Sequence, residues 1–393
     1  MKNYPTPLDL NKVKVLPLAR RQSLSRLEDL LVDPAKPPPP CDAATQRTVS
    51  DCAASIRQAR QRESSVMLLY GAHLIKNGAH RIVIRLIKQG WITHLATNGA
   101  GTIHDWELAF LGRTEESVRS NVATGTFGTW DETGRNIHLA LLAGALRDEG
   151  YGRSLGLFIE DDGVTLPATD SLQTILREEP AHPLAPARAD LLQAMLTHRL
   201  PAGRIDANHP WKNTCILAQA ARLNIPLTVH PGIGYDIITN HPMFNGAAIG
   251  RAAALDFRLF SGSVERLDGG VVLSVGSAIM APQVFEKSLS CVNNLRLQGG
   301  RPIVCDHTIQ VVDIQDNGGW DWTKGEPPHR PRPHHLRRGH PEQRRLGLVQ
   351  RRTAQRQPSL LPPLLQKFRA HGRHDEIRSM RQRGVPAQSP PRA

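Results

Sequence analysis

What the 393-residue sequence lacks narrows its reading first. The five cysteines (Cys41, Cys52, Cys215, Cys291 and Cys305) make no CxxC pair and no Cys/His spacing of zinc-ligand type. That excludes a disulfide framework and a structural zinc site, and fits a reducing cytosol. No run approaches the roughly 18 apolar residues of a membrane span, and the start MKNYPTPLDL has no apolar core of signal-peptide length. The expectation is a soluble, cytoplasmic protein with no membrane partner. No HxH or HExxH spacing gathers His104, Asp105, His230 and His241 into a metal site, so no metal is expected. No GxGxxG follows a strand either, which removes the most specific short signature of a dinucleotide site.

Charge is plentiful but badly distributed. The formal net charge of +13 suggests a nucleic-acid binder, because a basic surface attracts phosphate whatever its fold. Sixteen of the 49 Lys and Arg, but three of the 36 Asp and Glu, lie from His329 to Ala393, which leaves 33 of each before that point. The first 328 residues are formally neutral, and no nucleic-acid partner is expected of them.

Along the chain, residues 1–45 are polar and end in the proline run Pro37 to Pro40, which fixes an extended backbone without amide donors. They read as an N-terminal arm or linker. From Ser50 a regular alternation begins. A helical stretch to Gln61 precedes the apolar run VMLLYG, a second helical stretch runs from Leu74 to Gln89, and ITHLATNGAG opens another helix. The pattern returns at NTCILAQAARLN into IPLTVHPG, at GGVVLSVG into PQVFEKSLSCVNNLRLQ, and ends on the strand HTIQVVDI. Short apolar strands separated by helices predict a mainly parallel sheet covered on both faces. The expected fold is a Rossmann-like α/β domain over 46–328, with disordered arms at both termini.

The stretch 329–393 has six histidines, one aromatic residue (Phe368) and no periodic apolar face. Reading each codon of residues 337–354 from its second base allows VVDIQNNGGWDWSNGEPP, which agrees with residues 311–328 at fifteen of eighteen positions. The tail therefore reads as a repeated segment that has slipped one base, and the competing reading is a real basic, disordered tail. Carried on through 355–388, the same shift yields the segment YYLRFCKSF.

Two turns attract attention as ligand sites. Tyr70-Gly71-Ala72-His73-Leu74 closes a strand and opens a helix, where free amides favour a phosphate. Thr97-Asn98-Gly99-Ala100-Gly101 repeats the arrangement with small residues that permit close backbone approach. Each has a plainer reading: the glycines as ordinary strand-to-helix turns, and His73 as a helix-start residue.

The run GAHLIKNGAHRIVIRLIKQGWITHLATNGAGTIHDWE, with NIPLTVHPGIGYDI, GGVVLSVGSA and VVDIQDNGGWDW, resembles the deoxyhypusine synthase family across about residues 60–328. The resemblance implies NAD as cofactor, faced by Gly71, Ala72, His73, Leu74, Thr97, Asn98, Gly99 and Ala100, with Asp105 near a ribose. Gly276, Ser277, Gln315 and Asp316 would complete the cofactor wall, and Asp236 and Asp321 would face the polyamine. Carboxylates suit ammonium groups, although Asp236 could equally cap the turn after GIGY. Trp320 and Trp322 could pack over an alkylamine or mark one face of a strand.

Further implications are aminobutyl transfer from spermidine to a lysine of a translation factor, and a site shared between subunits of a homotetramer. Two departures stand out. The family's lysine after an aromatic-rich helix has no printed counterpart and appears only in the slipped frame, so no catalytic residue is assigned and the printed chain is expected to be inactive. GSAIMAPQ stands where the family has paired histidines. A homospermidine-synthase-like enzyme with a small amine acceptor and a non-catalytic nucleotide-binding protein are the alternatives.

Overall fold

Every residue of VMLLY is buried, as in a strand covered on both faces. The computed structural model describes residues 4–277 and 279–312 and the backbone of 348–349. In it, this run is β1 (Val66–Tyr70) at the centre of a parallel sheet. The other strands are β2 (His94–Thr97), β3 (Leu227–Val229), β4 (Val271–Val275), β5 (Thr308–Val312) and the two-residue β6 (Leu348–Val349). Their order across the sheet is β6-β5-β4-β1-β2-β3, all parallel.

Alternation along β1 sends side chains into two cores. Val66, Leu68 and Tyr70 join a cluster with Ile56 of α1 (Ala43–Gln61), Leu74 of α2 (Ala72–Lys76) and Ile82 of α3 (His80–Lys88). Trp106 of α4 (Gly99–Leu111), Ile137 of α5 (Asp131–Ala145), Leu155 of α6 (Tyr151–Glu160) and Ile216 of α7 (Ile216–Arg222) belong to that cluster too. Met67 and Leu69 point the other way, onto Phe260 of α8 (Gly246–Val264) and Phe285 of α9 (Met280–Gln298). The architecture is therefore a Rossmann-like α/β sheet with helices on both faces, as the alternation predicts. No described helix is long and apolar enough to cross a membrane.

Two sequence expectations are corrected. The helix expected over 74–89 is two helices, α2 and α3, because Gly78 between them turns left-handed at φ 73° and accepts from the amide of Val32 through its carbonyl. A Cβ there would stand 1.8 Å from the Leu30 carbonyl oxygen, so the N-terminal segment has docked on this turn. Nor does that segment stand free as an arm. Leu18 and Leu27 are buried, and Arg21 gives both guanidinium amines to the buried Glu107 of α4 at 2.7 and 2.8 Å. Polar composition concealed a strand of chain held by one buried ion pair and a few apolar anchors. Gln315, Asp316, Trp320, Asp321 and Trp322, and all of the basic tail except β6, lie outside the described residues.

Candidate functional site

Parallel strands in register end together. Tyr70 pairs with Val275, Leu69 with Ala96, Thr97 with Val229 and Val275 with Val312. The turns at 71–74, 97–101, 230–236 and 276–277 consequently leave from one edge of the sheet. Midway along that edge the strand order reverses: the chain leaves β1 toward β2 on one side, and β4 and β5 build outward on the other. In open α/β sheets such a switch point opens a crevice at the carboxyl ends of the strands.

At the switch point two turns touch. The Gly71 amide donates to Val275 at 3.3 Å, and a Cβ on Gly71 would stand 2.4 Å from the Gly276 carbonyl oxygen. Gly276 itself turns left-handed at φ 61°. Ala72 is half-buried and His73 is exposed at the start of α2. Leu74 departs from the cofactor-facing role given to it: its side chain is buried in the core, so it anchors α2. Ser277 accepts from the Ala281 amide at 3.2 Å and helps to start α9.

The second turn is tied down by its own polar atoms. Thr97 donates through Oγ1 to the Tyr70 carbonyl at 2.9 Å, joining β1 and β2, and the same oxygen fills the space a Gly101 Cβ would need. Asn98 caps α4 by accepting from the Gly101 amide at 2.9 Å. Gly101 is thus a glycine required by packing. Ala100 is half-buried beside it. Gly99 is different: a Cβ there would lie 2.0 Å from the carboxylate of Asp236.

Asp105, expected near a ribose, has its partners inside the protein. It is buried, and its carboxylate takes the amides of Ile216 (3.2 Å) and Leu217 (2.9 Å) and the Cys215 thiol (3.3 Å), the first turn of α7. Burial raises its carboxyl to about 6 against the lowering effect of those donors. All three of its donors belong to the protein interior.

Asp236 arrives from the loop after β3 and sits over Gly99. It is 4 % exposed; Oδ2 accepts from the Gly232 amide at 2.7 Å, while Oδ1 has no hydrogen-bond partner. Burial raises this carboxyl to about 6 as well. The Gly232 contact satisfies the turn-closing reading, and the free oxygen leaves a binding role open.

Sequence spacing misses a further set. Asp256, in the middle of α8, accepts from the amides of Val229 (2.7 Å) and Gly152 (3.0 Å), and burial lifts it to about 7. An aspartate inside AAALDFRLF is the available signal. His94 holds Ser263 at 2.8 Å and Thr228 at 3.0 Å, and His230 reaches Thr228 at 3.3 Å, a largely buried polar chain running from the start of β2 to the end of β3. His104, Asp105, His230 and His241 do not converge, and no group of possible metal ligands forms among the described residues.

No protein-family model matches the chain, and no curated protein matches it in sequence. Among solved structures it is similar to AgrE in complex with ornithine and NAD+, at 14 % identity and TM-score 0.40, covering 84 % of this chain and 34 % of that one. It is similar to a LOR/SDH protein from Methanococcus maripaludis, at 15 % and 0.40, covering 91 % and 74 %. It is also similar to a protein assigned as a deoxyhypusine synthase from Entamoeba histolytica, at 9 % and 0.36, covering 83 % and 89 %. The chain spans about a third of the length of the cyanobacterial arginine dihydrolase and AgrE structures. Likeness at this level carries no functional argument.

Proposed function

We propose that the chain is an NAD-binding protein of deoxyhypusine synthase type, built to transfer an aminobutyl group from spermidine to an acceptor amine. The observation that carries this reading is the order β3-β2-β1-β4-β5, whose reversal between β1 and β4 leaves the turns at Gly71, Gly99 and Gly276 at one end of the sheet, where folds of this kind open a crevice. Two features fit a dinucleotide there: adjoining turns at 71 and 276, so close that a Cβ on Gly71 would strike the Gly276 carbonyl, and a buried carboxylate oxygen without a partner at 236. The amino ends of α2 and α4 open onto the same edge, with Gly71, Ala72, His73, Asn98 and Ala100 on the side of β1 and β2.

NAD, when bound, supplies a hydride acceptor for the carbon beside the secondary amine of spermidine. The protein's share is to hold the amine chain and keep water from the crevice. Asp316 and Gln315 on the cofactor, and Asp321 on the ammonium groups, follow β5 in the sequence and serve this reading as charge-assisted and polar partners. A homo-oligomeric, tetrameric assembly belongs to the same proposal. So does the acceptor, a translation-factor lysine or a small amine.

A second reading, nucleotide binding without transfer, is favoured by one observation: the printed sequence has no lysine after an aromatic-rich helix beyond β5. The test compares the printed chain with one whose codons from residue 337 onward are read in the slipped frame. Calorimetry with NAD is expected to show binding by both. With spermidine present, absorbance of reduced nucleotide and release of diaminopropane are expected from the reframed chain alone. Binding without cleavage by the reframed chain selects the second reading, and absence of NAD binding by both removes the proposal.

A further inference from the structure

Doubly wound sheets that take a dinucleotide place an acid at the end of the second strand, where it accepts hydrogen bonds from ribose hydroxyls. This chain has none there in sequence, since β2 ends in Thr97-Asn98-Gly99 and the Asn98 side chain is spent capping α4. Folding supplies one from 137 residues further on: Asp236, carried by the loop after β3, lays its carboxylate where the missing Cβ of Gly99 would be. We infer that Asp236 accepts the ribose hydroxyls of the dinucleotide and makes the crevice select NAD against its 2′-phosphorylated form.

This inference rests on the nucleotide reading above and moves Asp236 from the amine to the cofactor. Three observations argue for it. Oδ2 is fixed by the Gly232 amide, so the carboxylate is oriented before any ligand arrives. Oδ1 is buried and has no partner, and a buried acceptor in that condition costs free energy that a ligand hydroxyl would recover. Finally, its place is over the first residue of the 13-residue helix α4, on the β2 side of the switch point, while Asp321, the other acid assigned to the amine, follows β5. A carboxylate at a helix start is itself stabilised by the helix dipole and cancels the attraction that start would have for a phosphate. A 2′-phosphate brought to the same point would meet like charge.

The full-length chain is titrated with NAD and with NADP by tryptophan fluorescence at pH 8, together with Asp236→Asn and, as a second replacement of different size, Asp236→Ser. Wild-type protein is expected to prefer NAD by about tenfold or more, the scale of a hydrogen bond to a charged group. Both variants are expected to lose about tenfold in NAD affinity and to bring the NAD to NADP ratio near one, with the Asn variant melting within a few degrees of wild type. An unchanged ratio in both variants overturns the ribose assignment while leaving the nucleotide reading intact. A change confined to spermidine binding overturns it in favour of the amine. If wild-type protein binds neither nucleotide, this inference and the reading beneath it fail together.

Discussion

The body of α4 and its first turn handle buried acids in opposite ways. Inside the helix, Glu107 is saturated: Arg21 donates two hydrogen bonds, Thr114 one at 2.6 Å and Thr133 one at 3.1 Å. Asp105, two residues earlier, is saturated by neutral donors from α7. Over the first turn, Asp236 keeps one oxygen without a partner. Burial alone does not separate them, since all three are nearly inaccessible. The count of satisfied lone pairs does: Glu107 and Asp105 are spent on donors inside the fold, whereas Asp236, like Asp256 in α8, keeps an acceptor free.

The largest effect should come from breaking the charged half of the interior. Arg21→Met leaves the Glu107 carboxylate buried with only threonine hydroxyls, and removing one partner of a buried ion pair costs about 4 kcal/mol. Urea unfolding is the measurement. A loss under about 1 kcal/mol would mean that Glu107 takes a proton or finds water, and the contrast with Asp236 would weaken. The same variant tests whether the N-terminal segment is part of the domain, because Arg21 is the side chain that ties it to α4.

Asp105→Ala comes next. It strips the amides of Ile216 and Leu217 of their acceptor in a dry interior, for an expected loss of about 3 kcal/mol. Nucleotide affinity of the folded fraction should stay within about twofold, in contrast to replacements at Asp236. Equal damage to binding at both positions would erase the distinction between saturated and open acids.

The sheet was legible because β-branched and apolar runs of four or five residues, spaced by helix-length segments, leave few arrangements other than a covered parallel sheet. The turns at 71 and 97 were legible for the same reason, since strand ends in a parallel sheet share an edge. The partners of Asp105 were not legible because sequence shows an acid near a glycine turn but not which way the helix faces; it lies six residues into α4 and points at α7. The break at Gly78 and the burial of Arg21 depend on contacts between distant segments, 86 residues apart for Arg21 and Glu107, and no local pattern carries them. Asp236 was singled out, but its position over Gly99 required the loop after β3 to be seen in place.

The finest test of the comparison is the pH dependence of stability. Burial lifts the Asp105 carboxyl from its ordinary 3.8 to about 6. Between those values the folded chain holds a proton that the unfolded chain releases, so the folded state is favoured at the acid end. That contribution is fully present below about pH 4 and is lost as pH rises through about 6. His80, 3.6 Å away, is held down near 4 by burial and stays uncharged over most of the window. Asp105→Asn cannot titrate, so the stability of wild type minus that of the variant should fall by about 2 kcal/mol between pH 4 and 7. Shifts elsewhere, including the rise of Asp256 to about 7, cancel in that difference. Asp236→Asn should show the same sign when free of nucleotide, because its carboxyl is lifted to about 6 by the same burial. Saturating NAD should then diminish the slope at Asp236 and leave that at Asp105 unaltered, since a ligand hydroxyl stabilises only the carboxylate it touches. Equal slopes with and without NAD at both positions would place Asp236 among the saturated acids of the interior.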